Sequence, residues 1–208
     1  MTPERIVVLG IGNLLWADEG FGVRAVEALH ARWQMPEHVA LIDGGTQGMA
    51  LLPLVESADR LIVLDAIDFG LAPGTLHQVE GEEVPVCLQA RKMSLHQTGF
   101  SDVLACAQLK GHYPRDIVLI GVQPVELDDF GGSLRPQVRA QLDEAVARAG
   151  AVLRRWGVEL VPHTQAPPPL SGGDTGLELA RYEAERPTEQ MAARGGDERF
   201  WQPSVEKL

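Results

Sequence analysis

Four side chains capable of catalysis or metal binding lie near the ends of predicted strands or the start of a predicted helix: Glu19, Asp43, Asp65 and His96. Asp65 is the most informative, because it lies in the apolar run 61–67, where a carboxylate is costly unless it is paired, hydrogen-bonded or bound to a metal. Two carboxylates and an imidazole would form a three-ligand metal site with open positions. Such a site suits Zn, Ni, Fe or Mn, and the spacing does not choose among them.

Each of these residues also has a simpler structural interpretation. Asp18 would be an N-cap, and Glu19 a first-turn acid favoured by the helix dipole. Asp43 would cap the helix that follows it, Asp65 would accept hydrogen bonds from turn amides, and His96 would be a surface histidine. These alternatives stay open at the level of residue types and spacing.

The glycines after the first strand argue against a nucleotide site. Gly10 and Gly12 begin a dinucleotide-binding pattern, but Leu15 occupies the place of its third glycine. Asp18 and Glu19 follow where a helix N-terminus would receive a phosphate, and their charges would repel it. The sequence also lacks the P-loop, GxSxG and HExxH patterns.

The elements that must position these residues alternate along the chain. Apolar β-branched runs predict strands at 5–10, 39–43, 60–67, 74–79 and 116–122. Apolar stripes predict helices at 20–33, 46–57, 99–109 and 136–156. This alternation predicts a three-layer α/β/α fold with a twisted, mainly parallel sheet between helices. Right-handed crossovers would bring the functional groups to the C-terminal edge of that sheet.

The composition changes after His163. Residues 164–208 hold five of the 14 prolines and five of the 22 glycines. We therefore predict a domain at 1–163 and a Pro/Gly-rich, mostly disordered tail at 164–208, with a short helix near 177–185.

Charge and cysteine content exclude several classes of protein. The 208 residues include 29 acidic and 18 basic side chains, a net charge of −11, which disfavours nucleic acid and anionic lipid as partners. No apolar run approaches the roughly 20 residues that span a bilayer, and we expect neither a signal peptide nor membrane insertion. Cys87 and Cys106 are too few for a disulfide framework, which predicts a cytoplasmic protein. With no obvious helix seam for a dimer, we expect a monomer.

Four motifs in order give the chain a family resemblance. They are VLGIGNLLWADEGFG at 8–22, DGGT at 43–46, DA at 65–66 and SLHQ at 94–97. Together the motifs resemble those of the [NiFe]-hydrogenase maturation endopeptidases, which are classed as aspartic-type peptidases. The similarity runs from about residue 5 to residue 162 and leaves the tail without a counterpart in minimal members of the family.

The resemblance implies both a reaction and a site. The substrate would be the hydrogenase large-subunit precursor after nickel insertion, and cleavage would remove its C-terminal extension. Glu19, Asp65 and His96 would recognise nickel supplied by the substrate. Asp43, Asp65 and Glu19 are the candidate catalytic carboxylates.

Two other functions remain as alternatives. The chain could be a non-catalytic, nickel-dependent assembly chaperone that binds the precursor through the same residues. It could also be a Rossmann-like nucleotide-binding enzyme, which the glycine pattern disfavours. If the chain is a protease, two mechanisms stay open: the metal polarises the scissile carbonyl, or a carboxylate acts as the general base that activates water.

Overall fold

A five-stranded sheet forms the centre of the molecule. The computed structural model describes residues 3–90, 95–170 and 178–185, and the side chains of residues 89–90 and 95–98 fall outside that description. The strands are β1 (Ile6–Ile11), β2 (Trp33–Gln34), β3 (Val39–Gly45), β4 (Arg60–Ala66), β5 (Leu76–Glu80), β6 (Asp116–Val122) and β7 (Val161–Pro162). The helices are α1 (Phe21–Arg32), α2 (Leu52–Glu56), α3 (Glu83–Ala90), α4 (Leu95–Leu109), α5 (Pro136–Arg139), α6 (Leu142–Arg155) and α7 (Leu179–Glu185). Turns of 3-10 helix at Ala17–Gly20 and Gly48–Leu51 precede α1 and α2.

The strand order is β3-β1-β4-β6-β5, with β5 antiparallel to β6 and the other neighbours parallel. The parallel strands are almost wholly apolar, as expected for strands covered on both faces. Helices cover both faces of the sheet. The predicted three-layer α/β/α fold is therefore confirmed.

Side-chain alternation along β4 defines two cores. Ile62 and Leu64 pack with α1 and α6 on one face, whereas Leu61 and Val63 pack with α2, α3 and α4 on the other. We call these the α1 face and the α4 face. Because successive side chains point to opposite faces, a residue's place in this alternation determines which helices it meets.

Several helix boundaries differ from the prediction. The helix predicted at 46–57 is a 3-10 turn followed by the short α2, and the helix predicted at 136–156 is divided into α5 and α6 at residues 140–141. Helix α3 was not anticipated; Pro85 lies in its first turn, where proline is tolerated.

Helix α4 begins at Leu95 instead of Gly99, so His96 lies within it and not in the preceding loop. Gly99 does not mark the helix start. A Cβ at Gly99 would lie 3.4 Å from Gly48 Cα, an ordinary van der Waals contact, so α4 packs against the 3-10 turn at Gly48–Leu51 here.

Part of the C-terminal segment lies against the domain. Leu170 packs on the α1-face core, and α7 lies beside residues 132–139. Residues 171–177 and 186–208 are outside the described part of the chain, so the predicted boundary at 163 and the predicted disorder stay predictions. Among the described residues, no helix is long and apolar enough to cross a membrane.

Candidate functional site

The site is best located from the connections between the strands. β1 lies between β3 and β4, and the chain leaves β1 toward β3 before it crosses back to β4. In a parallel sheet, the point where the direction of connection reverses opens a crevice at the C-terminal edge. Glu19 follows β1, and Asp65 lies near the end of β4, so the topology brings both to this crevice.

The glycines of the first motif pack the turn that carries Glu19 onto the sheet. Gly12 has φ +138°, and a Cβ there would lie 1.7 Å from the carbonyl oxygen of Glu19. A Cβ on Gly22 would lie 2.1 Å from the carbonyl oxygen of Leu64. The glycines therefore allow residues 13–20, which we call the Glu19 turn, to approach the strand ends closely, and no phosphate is needed to explain them.

Asp18 holds this turn in place. Its side chain has no solvent exposure, and both carboxylate oxygens accept backbone hydrogen bonds. The N–H groups of Val125 and Glu126 donate to Oδ2 at 2.8 and 2.9 Å, and that of Arg135 donates to Oδ1 at 2.7 Å. Asp18 is thus a clamp on residues 123–135, which we call the 123–135 loop. The N-cap interpretation was wrong, because the partners lie more than 100 residues away in sequence.

Asp65 is buried, with 1% of its surface exposed. It continues the alternation of Leu61 and Val63, so it belongs to the α4 face. Its Oδ1 accepts a hydrogen bond from the backbone N–H of Ala66 at 2.7 Å. A buried carboxylate at the crevice is the feature that first suggested a metal or catalytic role.

His96 belongs to α4, the helix that packs on the same face as Asp65. Its side chain lies outside the described part of the structure. Among the side chains that are described, no group of three histidine, cysteine, aspartate or glutamate residues could hold a metal ion. The set of Glu19, Asp65 and His96 therefore stays a prediction.

Asp43 belongs to the opposite face. It continues the alternation of Val39 and Leu41, which pack on the α1 face, and its Oδ1 accepts the Gly45 N–H at 2.9 Å. Burial raises the pKa of Asp43, and the Gly45 hydrogen bond and the charge of Arg24 oppose that rise. Asp43 and Asp65 thus meet different helices, although both lie near the same edge of the sheet.

Arg24 is a buried cation beside Asp43, with 4% of its surface exposed. Its Nη1 pairs with Glu27 Oε2 at 2.9 Å. Burial raises the pKa of Glu27; Arg24 opposes the rise, while Asp43 and Glu178 add to it. Sequence reasoning missed this group, because nothing in residues 20–33 marks one arginine of an amphipathic helix as buried.

An apolar rim lies next to the Glu19 turn. The rings of Trp16 and Phe130 meet edge to face, with centroids 5.4 Å apart, and the two residues form an isolated β-bridge. Leu15 is 40% exposed and Phe130 47% exposed. Large exposed apolar side chains beside a crevice are typical of a surface that contacts another molecule.

The fold and the crevice define a three-layer α/β protein with acidic groups at its sheet switch point. The sequence profile of the HycI family, described as hydrogenase maturation protease, matches residues 23–151. The chain therefore belongs to the hydrogenase maturation protease family, and it is a hydrolase that cleaves peptide bonds. The family resemblance drawn from the four motifs is confirmed.

Individual relatives agree with this family. The chain is 58% identical over 199 residues to the hydrogenase expression/formation protein HupM of Azotobacter chroococcum mcd 1, covering 96% of this chain and 94% of that protein. It is 45% identical over 159 residues to the hydrogenase 2 maturation protease of Escherichia coli (strain K12), covering 76% of this chain and 96% of that protein. The match to HupM must include most of residues 164–208, whereas the E. coli protease leaves about a quarter of this chain unmatched.

A solved structure supports the fold directly. The hydrogenase maturating endopeptidase HybD from E. coli aligns with a TM-score of 0.73 and 43% sequence identity, covering 77% of this chain and 98% of that chain. Nearly the whole of HybD is thus represented here, and the remaining residues are additional to it.

Proposed function

We propose that this protease removes the C-terminal extension of the [NiFe]-hydrogenase large-subunit precursor after nickel insertion, and that the nickel carried by the precursor is its recognition signal. Glu19, Asp65 and His96 would contact that nickel. The main support is the switch-point crevice, where the Glu19 turn is packed by glycines against the end of the strand that carries the buried Asp65.

The donor chemistry suits this substrate. Carboxylate oxygens and an imidazole nitrogen are ordinary ligands for a divalent first-row metal, and a three-residue set leaves positions for the ligands that the precursor retains. The nickel would then bridge enzyme and substrate and hold the scissile bond at the crevice. A bond held in this way is cleaved faster because it is already oriented for the reaction.

Cleavage of the amide bond consumes one water molecule. A carboxylate in the crevice accepts a proton as the water oxygen attacks the scissile carbonyl, and the tetrahedral intermediate collapses with release of the amine, which takes up that proton. The water oxygen remains on the new C-terminus of the large subunit. We propose that nickel acts mainly in positioning, and that a crevice carboxylate assists the water as in an aspartic-type peptidase.

We assign Asp43 a role outside the nickel contact, since its side chain follows the α1 face while Asp65 follows the α4 face. The apolar rim at Trp16 and Phe130 offers a surface on which the precursor could dock beside the crevice. We place the reaction in the cytoplasm, where the free thiols of Cys87 and Cys106 would stay reduced.

The decisive experiment is incubation of the enzyme with nickel-loaded precursor, followed by mass spectrometry of both products. Loss of the extension at one bond is expected, and chelation of nickel should abolish it. An unchanged mass of the large subunit with retained binding would favour the chaperone alternative and overturn the protease proposal.

The site is tested with Glu19→Gln, Asp65→Asn and His96→Ala, each expected to lose most of the cleavage rate. His112→Ala and Glu37→Gln are matched controls, because both side chains are exposed and lie outside the crevice. Full cleavage by all three site variants would refute the assignment.

A further inference from the structure

The C-terminal helix α7 contacts the structure that holds the Glu19 turn. None of its seven residues is buried, and a helix of this length is not stable alone in water. Its place on the domain therefore depends on side-chain contacts, among them those of Tyr182 and Glu183.

Glu183 attaches α7 to the end of the 123–135 loop. The hydroxyl of Ser133 donates to Glu183 Oε1 at 2.9 Å, and the Arg139 guanidinium pairs with Oε2. The hydroxyl of Tyr182 donates to the carbonyl oxygen of Gly132 at 3.3 Å. The 123–135 loop is thus held from two sides, by α7 and by the Asp18 carboxylate.

Tyr182 also meets the start of α1. Its ring lies 5.9 Å from the guanidinium carbon of Arg24, a distance at which a cation is attracted to an aromatic face. Tyr182 also lines a small cavity together with Ala17 and Gly20 of the Glu19 turn. Ala17 has φ +38°, an unfavourable backbone conformation for a residue with a side chain.

We propose that Tyr182 and Glu183 are positioning residues for Glu19, so that the C-terminal segment forms part of the active-site support. This inference rests on the proposed function for its effect on nickel recognition. A strained turn keeps its conformation only while its surroundings enforce it, and α7 supports those surroundings through Arg24 and the 123–135 loop. Loosening it would displace the Glu19 carboxylate by enough to weaken a metal contact, which depends on ligand orientation.

The test uses full-length Tyr182→Ala and Glu183→Gln, with Glu185→Gln as the matched control on the same helix. Glu185 is exposed and pairs with Arg181 within α7, so its loss leaves the domain contacts intact. Hydrogen exchange of the amides in residues 13–20 should accelerate about tenfold in the two test variants and stay unchanged in the control. Affinity for added Ni²⁺ should fall about tenfold, as for loss of a group that orients a metal ligand.

Cleavage kinetics separate positioning from simple stabilisation. With nickel-loaded precursor, KM should rise and kcat should change less. Tyr182→Phe should retain most of the affinity for Ni²⁺, because it keeps the ring over Arg24. Unchanged exchange in residues 13–20, or unchanged nickel affinity in a variant with lowered Tm, would overturn the inference. If the wild type fails to cleave the precursor, the proposed function falls, whereas the exchange measurement still decides whether α7 supports the turn.

Discussion

Substitution of Asp18 by asparagine is the most direct test of how the Glu19 turn is held. The carboxylate accepts three backbone hydrogen bonds of 2.7–2.9 Å and has no solvent exposure. Asparagine preserves the size of the side chain but offers only one acceptor oxygen. Its NH2 group must then face at least one backbone N–H. Both groups are hydrogen-bond donors, so no hydrogen bond can form between them.

The magnitude follows from these bonds. A hydrogen bond to a charged group contributes about 1.5–3 kcal/mol. Asp18→Asn loses at least one such bond and weakens the others, so we expect the free energy of unfolding to fall by about 3 kcal/mol. For a chain of this size, that corresponds to a decrease in Tm of roughly 6–12 °C.

Thermal unfolding of Asp18→Asn and Asp128→Asn measures the effect. Asp128 is exposed in the same loop, so its substitution should change the stability by about 0.5 kcal/mol or less. A Tm for Asp18→Asn within about 2 °C of the wild type would refute the conclusion that this carboxylate clamps the loop.

Three further predictions concern the turn, the opposite face and the rim. Gly12→Ala should unfold or strongly destabilise the protein, because its Cβ would lie 1.7 Å from a carbonyl oxygen. Gly81 has open space around it, so Gly81→Ala should lower the free energy of unfolding by only about 1 kcal/mol, and chemical denaturation compares the two variants. Burial raises the pKa of Asp43 above its ordinary 3.8, so the ionised form is disfavoured in the folded protein and the contribution of Asp43 to stability should fall as pH rises from 3.8 through the raised pKa; Asp43→Asn should flatten this part of the stability profile, and an unchanged slope would contradict the cause assigned. Phe130→Ser should raise KM for the precursor several-fold and lower Tm only slightly, through loss of its ring contact with Trp16, while Leu109→Ser, exposed on α4, should leave KM unchanged.

The central layers could be predicted from sequence because their signal is local. Apolar β-branched runs such as 60–67 and 116–122 fixed the parallel strands, and the stripe of α1 was regular. The start of α4 could not be predicted in this way, because glycine is unfavourable inside a helix and Gly99 therefore indicated a helix start. In the structure this glycine lies within α4, where it faces Gly48, a residue distant in sequence.

The candidate site shows the same division. The end of β4 and the turn after β1 were identified from residue type and position, and the family motifs carried the assignment of Glu19, Asp65 and His96. The face on which Asp43 lies depends on register and alternation, and the role of Asp18 depends on donors from a loop more than 100 residues away. Neither is encoded within a motif.

Four acidic residues near this edge of the sheet illustrate why charge alone does not identify a catalytic group. Asp18 is saturated by three amide donors and is therefore held in one structural arrangement. Asp43 faces Arg24 across the α1 side of the sheet, where the cation partly offsets the cost of burial. Glu19 is half-exposed on a turn packed against the end of β4, where Asp65 is buried, and these are the two carboxylates that we propose contact the nickel of the precursor. The structural role of Asp18 and the surroundings of Asp43 thus follow from the donors and charges around each carboxylate, which their sequence motifs do not reveal.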